Sequence, residues 1–188
     1  MTTHELLLAA REAKAALAAA DSQTKNNALH AMADALLCRT DAILAANRLD
    51  MEAAKGIIAD SMLDRLALTE DRIKAMAEGI RQVAARPDPV GRLLSTHTRP
   101  NGIKISKVSV PMGVIAIIYE SRPNVTSDAA ALALKAGSAC VLRCGKEAHA
   151  SAEAIVKAMK KGLAEAGLPE NALALVDDTT HASAEELM

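Results

Sequence analysis

Residues 114–148 read VIAIIYESRPNVTSDAAALALKAGSACVLRCGKEA. GVIAII at 113–118 is an all-apolar run, and ACVLR at 139–143, apolar up to Arg143, is a second short run after Gly137. A short apolar run bounded by turn residues is what a strand buried on both faces requires. Between the two runs, VTSDAAALALKAG has the Ala and Leu content of a helix, predicted to start at Thr126 or Ser127 and to stop at Gly137. Downstream, EAHASAEAIVKAMKKGLAEAG is a longer helix ended by Gly167, ALALV is a third strand, and ASAEELM opens a further helix. The order β-α-β-α-β-α predicts an α/β fold with a Rossmann-like parallel sheet and helices on its faces.

Upstream of Pro100-Asn101-Gly102 the chain reads as helices. Thr24 is a candidate N-cap for one, Thr40 starts another that stops at Gly56, and Thr69 precedes a third whose first turn holds Glu70 and Asp71. IKISKVSV alternates as a strand, but its phase slips near Lys107, so a bulge is expected in an exposed ribbon. The expected organisation is a helical part over 1–95, a β-ribbon over 96–112, and the first half of an α/β domain over 113–188. Three parallel strands make half of a doubly wound sheet, so the sequence reads as ending early. An unpaired edge and an uncovered apolar face would then promote self-association.

The composition narrows the function. A net charge of -1 excludes a general electrostatic grip on nucleic acid or anionic membrane. MTTHELLLAAREAK is neither a secretory signal nor a membrane span. Cys38, Cys140 and Cys144 show neither disulfide nor metal spacing, which points to a reducing cytoplasm. Cys38 and Cys140 read as core residues and Cys144 as structural. The five histidines read as surface or loop residues without metal-ligand spacing, so no metal site is expected.

In parallel sheets, ligands bind beyond the carboxyl ends of the strands. The first strand runs into Tyr119-Glu120-Ser121-Arg122-Pro123-Asn124, the second into Cys144-Gly145-Lys146. Each places polar residues beside a helix N-terminus, where free N–H groups attract anions. With Arg122, Arg143 and Lys146 nearby, a phosphate-bearing ligand fits. A purely structural reading stands beside it. Tyr119 could simply finish a strand, Glu120 and Arg122 could form an exposed ion pair, and Pro123 could punctuate a helix. No G-x-G-x-x-G follows the first strand.

VPMGVIAIIYESRPNVTSDAAALALKAGSACVLRCGKEA resembles the signature region of the gamma-glutamyl phosphate reductase (glutamate-5-semialdehyde dehydrogenase) family, within the aldehyde dehydrogenase superfamily. The likeness extends through NRLDMEAAKG, LDRLALTEDRIKAMAEGIRQVAARPDPVG, RPNGIKISKVSVPMGV and AGLPENALALVDDTT. It implies an enzyme of proline biosynthesis that reduces L-glutamyl 5-phosphate with NADPH, releasing glutamate 5-semialdehyde, NADP and phosphate. It implies a thiolate that attacks the acyl phosphate, a thioester, and hydride transfer to it. It also implies a homo-oligomer when full length, built with the ribbon, and a cofactor fold that lacks the glycine fingerprint. By resemblance, 119–124 passes between cofactor and substrate, with Ser121 or Asn124 as oxyanion donor. Glu120, Ser121, Arg122, Pro123, Arg143, Gly145 and Lys146 line the cofactor side, Arg143 or Lys146 meeting the 2′-phosphate. The nucleophilic Cys is expected beyond 188, so the isolated chain is expected to be inactive. The alternatives are a non-catalytic remnant or nucleotide-binding half-domain, and a helical interaction protein suggested by the Ala-rich first half.

Overall fold

The computed structural model describes all 188 residues. Five helices come first: α1 (Thr3–Ala19), α2 (Ser22–Cys38), α3 (Thr40–Ala54), α4 (Asp60–Leu66) and α5 (Glu70–Ala85). A ribbon follows, β1 (Leu93–Thr98) and β2 (Lys104–Val108), then β3 (Val114–Ile118), α6 (Pro123–Lys135), β4 (Ala139–Arg143), α7 (His149–Glu165), β5 (Leu173–Leu175) and α8 (His181–Leu187).

Local chemistry sets the helix ends. Thr2 and Glu5 form a reciprocal capping box at α1. Thr69 Oγ1 accepts from Arg72 N at α5. Asp21 rather than Thr24 caps α2, accepting the Thr24 N–H at 2.7 Å. A carboxylate one turn earlier outcompetes the threonine because it also favours the helix N-terminus electrostatically. Gly56, Gly137 and Gly167 have positive φ and follow α3, α6 and α7, where a Cβ would be strained.

β3, β4 and β5 form a parallel sheet in that order, with Ile118 opposite Arg143 and Leu142 opposite Leu175. The consecutive order puts both crossover helices, α6 and α7, on one face. α1 packs on all three strands from the other. β4, the central strand, is fully buried. β3 is not, contrary to expectation: Ala116 and Ile118, which share one face of this edge strand, are exposed, whereas β5 at the other edge is buried throughout. Behind α6 and α7, α2, α3 and α5 extend the same core.

The ribbon begins at Leu93, ahead of position 96. Its irregularity falls opposite Lys107, as the slipped phase suggested, with the extra residue between Leu93 and Ser95 on the partner strand. Every residue of β2 is exposed, including Ile105 and Val108. Two further expectations are corrected. α6 begins at Pro123, not at Thr126 or Ser127, because a proline at N1 needs no N–H partner and is preset in φ. Cys38 is exposed at the end of α2, so it is no part of the core.

Candidate active site

The parallel register brings the two polar loops together. Tyr119 N donates to Arg143 O at 2.9 Å, so the chain leaves β3 and β4 side by side. The loops touch at Gly145, where a Cβ would lie at an ordinary 3.6 Å from Glu120 Cα and 2.7 Å from the flexible Glu147 carboxylate.

Residues 119–124 form a crest between two clefts. On one side, a cleft of about 530 Å3 lies beyond β4, walled by Glu120, Ser121, Arg143, Gly145 and Lys146. On the other, a cleft of about 490 Å3 opens between α4, α5 and the start of α6, with Arg65, Arg122, Asn124 and Asp128 in its wall. A smaller hollow connects them, sharing Arg65 and Arg122 with the second cleft and Met62, Glu120 and Ser121 with the first. Ser121 is buried and faces both the hollow and the Arg143 cleft. Asn124 faces only the Arg65 side.

The crest is anchored from beneath. Tyr119 Oη and Thr126 Oγ1 are 2.6 Å apart, and Ser127 Oγ donates to Asn124 O at 2.8 Å. Burial raises the Tyr119 phenol above its ordinary value against the opposing pull of the Thr126 bond. Tyr119 therefore stays a neutral strut. Glu120 and Arg122 form no ion pair, and Arg122 lines the α4–α5 cleft and the hollow, away from Arg143 and Lys146. Pro123 is buried in the first turn of α6.

Arg143 is engaged where Lys146 is free. Arg143 is 8% exposed; its Nη2 donates to Thr179 O at 2.6 Å and Thr180 O at 2.8 Å. Those carbonyls are presented by a turn in which Asp178 accepts from Thr180 N, holding its own carboxyl below the usual range. Lys146 is exposed and makes no ion pair. The cleft thus has one available cation, Lys146, and a buried serine hydroxyl, Ser121. A phosphate-bearing ligand fits that donor set.

The two buried thiols, Cys140 and Cys144, are poor nucleophiles. Burial pushes Cys140 up to about 12 and Cys144 up to about 11. Both are protonated at neutral pH, so neither is poised as a thiolate nucleophile.

Several contributors escaped sequence reasoning. Met62 and Arg65 sit on α4, a seven-residue helix without a side-chain cap. Asp128 carries no signal beyond its place in the helical stretch VTSDAAALALKAG, and the Thr179–Thr180 carbonyls carry no side-chain signal. Arg65 and Asp64 lie within the stretch that carries the family resemblance, which is the one available hint.

A sequence profile described as the aldehyde dehydrogenase family matches residues 2–188. Gamma-glutamyl phosphate reductase of Neisseria gonorrhoeae is 58% identical over 186 residues, covering 99% of this chain and 44% of its own. The Streptococcus suis protein of that name is 56% identical over 189 residues, covering 100% and 46%. The crystal structure of gamma-glutamyl phosphate reductase from Thermotoga maritima superposes with a TM-score of 0.97 at 38% identity, covering 100% of this chain and 45% of that one. The chain thus spans about half the length of the curated relatives it matches.

Proposed function

The chain belongs to the aldehyde dehydrogenase family of oxidoreductases, and on that footing we propose that residues 1–188 contribute to a gamma-glutamyl phosphate reductase. Its reaction is the NADPH-dependent reduction of L-glutamyl 5-phosphate to glutamate 5-semialdehyde and phosphate, a step of proline biosynthesis in the cytoplasm. One observation carries the reading: a crest at 119–124 separates a cleft holding Lys146 from one holding Arg65 and Arg122. Such a division suits an enzyme that must bring a dinucleotide and an anionic substrate to one point.

When bound, the nicotinamide supplies a hydride. Lys146, exposed in the cleft wall, would hold the cofactor's 2′-phosphate. Arg143 acts on the cleft indirectly, by fastening the 179–180 loop to the end of β4. Ser121, at the junction of cleft and hollow, donates to the oxygen that gains charge as the carbonyl carbon is attacked. Asn124 faces only the far side, which favours Ser121 for that role. The nucleophilic thiol comes from residues outside 1–188, a reading supported by the raised thiols of Cys140 and Cys144. The exposed apolar ribbon pairs with another copy in a homo-oligomer.

The test is equilibrium binding of NADPH and NADH to the chain, followed by reduced-nicotinamide fluorescence. Lys146→Ala should weaken NADPH about tenfold and leave NADH nearly unchanged. Arg143→Ala should weaken both alike. Equal losses for the two cofactors in Lys146→Ala would reject Lys146 as the phosphate contact. No saturable NADPH binding would reject the cleft.

A further inference from the structure

Resting on the reading above, we infer that the cleft between α4, α5 and the start of α6 holds the α-amino-acid end of the substrate. The α-carboxylate lies between Arg65 and Arg122, and the α-ammonium meets Asp128.

Size comes first. About 490 Å3 is within the range of small-ligand sites and has room for a five-carbon amino acid. Charge comes second. Arg65 and Arg122 are exposed, form no ion pair and donate no side-chain hydrogen bond, yet both face this cleft and its adjoining hollow. Arg72, the third arginine lining this cleft, is already engaged: it donates to Ala67 O and pairs with Asp64, building the wall. Two free guanidinium groups at one opening suit a carboxylate better than a neutral ligand.

Asp128 decides between anions. It lies one turn along α6 from Asn124, whose Nδ2 at 3.3 Å is its side-chain partner. The charged groups lining the cleft are Asp64, Arg65, Arg72, Arg122 and Asp128 itself. Desolvation raises the Asp128 carboxyl above its ordinary value, with the Asn124 bond opposing. A carboxylate held high by desolvation favours an arriving cation. It repels a bare phosphate or dicarboxylate. A ligand with a carboxylate and an ammonium on one carbon satisfies both sides of the cleft. The hollow then leads its side chain towards Ser121 and the crest.

Tyr119 offers a direct readout, because it is the single aromatic side chain of the chain and lines the hollow. The chain is titrated with L-glutamate, with glutarate and with inorganic phosphate, following tyrosine fluorescence and binding heat. L-glutamate should saturate and should bind more tightly than the other two. Arg65→Ala and Arg122→Ala should each weaken it about tenfold. Asp128→Asn should weaken L-glutamate comparably and leave glutarate no weaker. L-glutamate affinity should rise with pH as Asp128 ionises. Unchanged melting curves confirm intact folds, since none of these side chains is buried.

Absence of saturable L-glutamate binding overturns the inference, as does tighter binding of phosphate or equal loss of glutarate in Asp128→Asn. Lys146→Ala should leave L-glutamate binding intact. L-glutamate binding without NADPH binding would reject the cofactor reading alone, and the reverse would reject this inference alone.

Discussion

Gly162 on α7 lies against Met32 on α2 so closely that a Cβ added to it would stand 2.5 Å from the Met32 backbone nitrogen. The absent side chain lets the two helices meet, and that contact backs the sheet that carries the site. Gly162→Ala must push backbone away from backbone. Overpacking costs about 1–3 kcal/mol, and alanine's helical preference returns up to about 1 kcal/mol. A net loss of about 1–2 kcal/mol should appear as a lower urea midpoint. An unchanged midpoint would mean the helices separate freely.

The pair Lys25–Asp88 ties α2 to the segment entering the ribbon at 2.6 Å, and the lysine is 1% exposed. Desolvation opposes ionisation of Asp88, but bonds from Lys25, Ser22 and Val90 N prevail and lower its value. A lowered carboxylate contributes stability that is present above its unfolded value, near 3.8, and is lost as pH falls through the folded one. Acid unfolding below about pH 4 should therefore be blunted in Lys25→Met. That variant should also lose about 1–3 kcal/mol at neutral pH, because Asp88 loses its buried partner while keeping its bonds to Ser22 and Val90 N. Chemical melts across pH 3–7 would report both.

Tyr119 makes the site its own spectroscopic reporter. Its phenol is raised, so the absorbance change of tyrosinate should be missing near pH 10 while the chain is folded. The sign follows: a raised group contributes stability below its unfolded value, and this is lost as pH climbs above it. Tyr119→Phe should remove the contact to Thr126 and cost about 1 kcal/mol. A Tyr119 that titrates at its ordinary value would contradict the buried crest.

Asp50 on α3 accepts from Ala150 N, Ser151 N and Ser151 Oγ, at 3.2, 2.7 and 2.5 Å, and so caps α7 from outside its own segment. Asp50→Ala should destabilise by about 1–3 kcal/mol. Hydrogen exchange should show the first turn of α7 opening before its centre.

The parts legible in the sequence are those governed by local pattern. The apolar runs at 114–118, 139–143 and 173–175 are the three strands, and Gly56, Gly137 and Gly167 end the helices at which they were read. What was hidden depends on partners distant in sequence. The exposure of Ala116 and Ile118 depends on what packs over that face of β3, which no run of five apolar residues contains. Asp21 prevailed over Thr24 through a competition between adjacent caps. The division of labour between Arg143 and Lys146 was invisible because Arg143 spends its donors on main-chain carbonyls 36 and 37 residues away. The Arg65 cleft is assembled from α4, α5 and α6, and its free charges become visible only when the paired ones are known.

The most direct measurement joins residues 1–188 to the remaining part of the Neisseria gonorrhoeae relative, which is 58% identical over the shared region. The purified chimaera is mixed with glutamate 5-semialdehyde, phosphate and NADP, and NADPH absorbance is followed. The expected result is NADPH formation that requires phosphate, survives replacement of Cys38, Cys140 and Cys144 by serine, and falls on Lys146→Ala. A folded chimaera that forms no NADPH, or one whose activity disappears with those three cysteines, would contradict the proposed function.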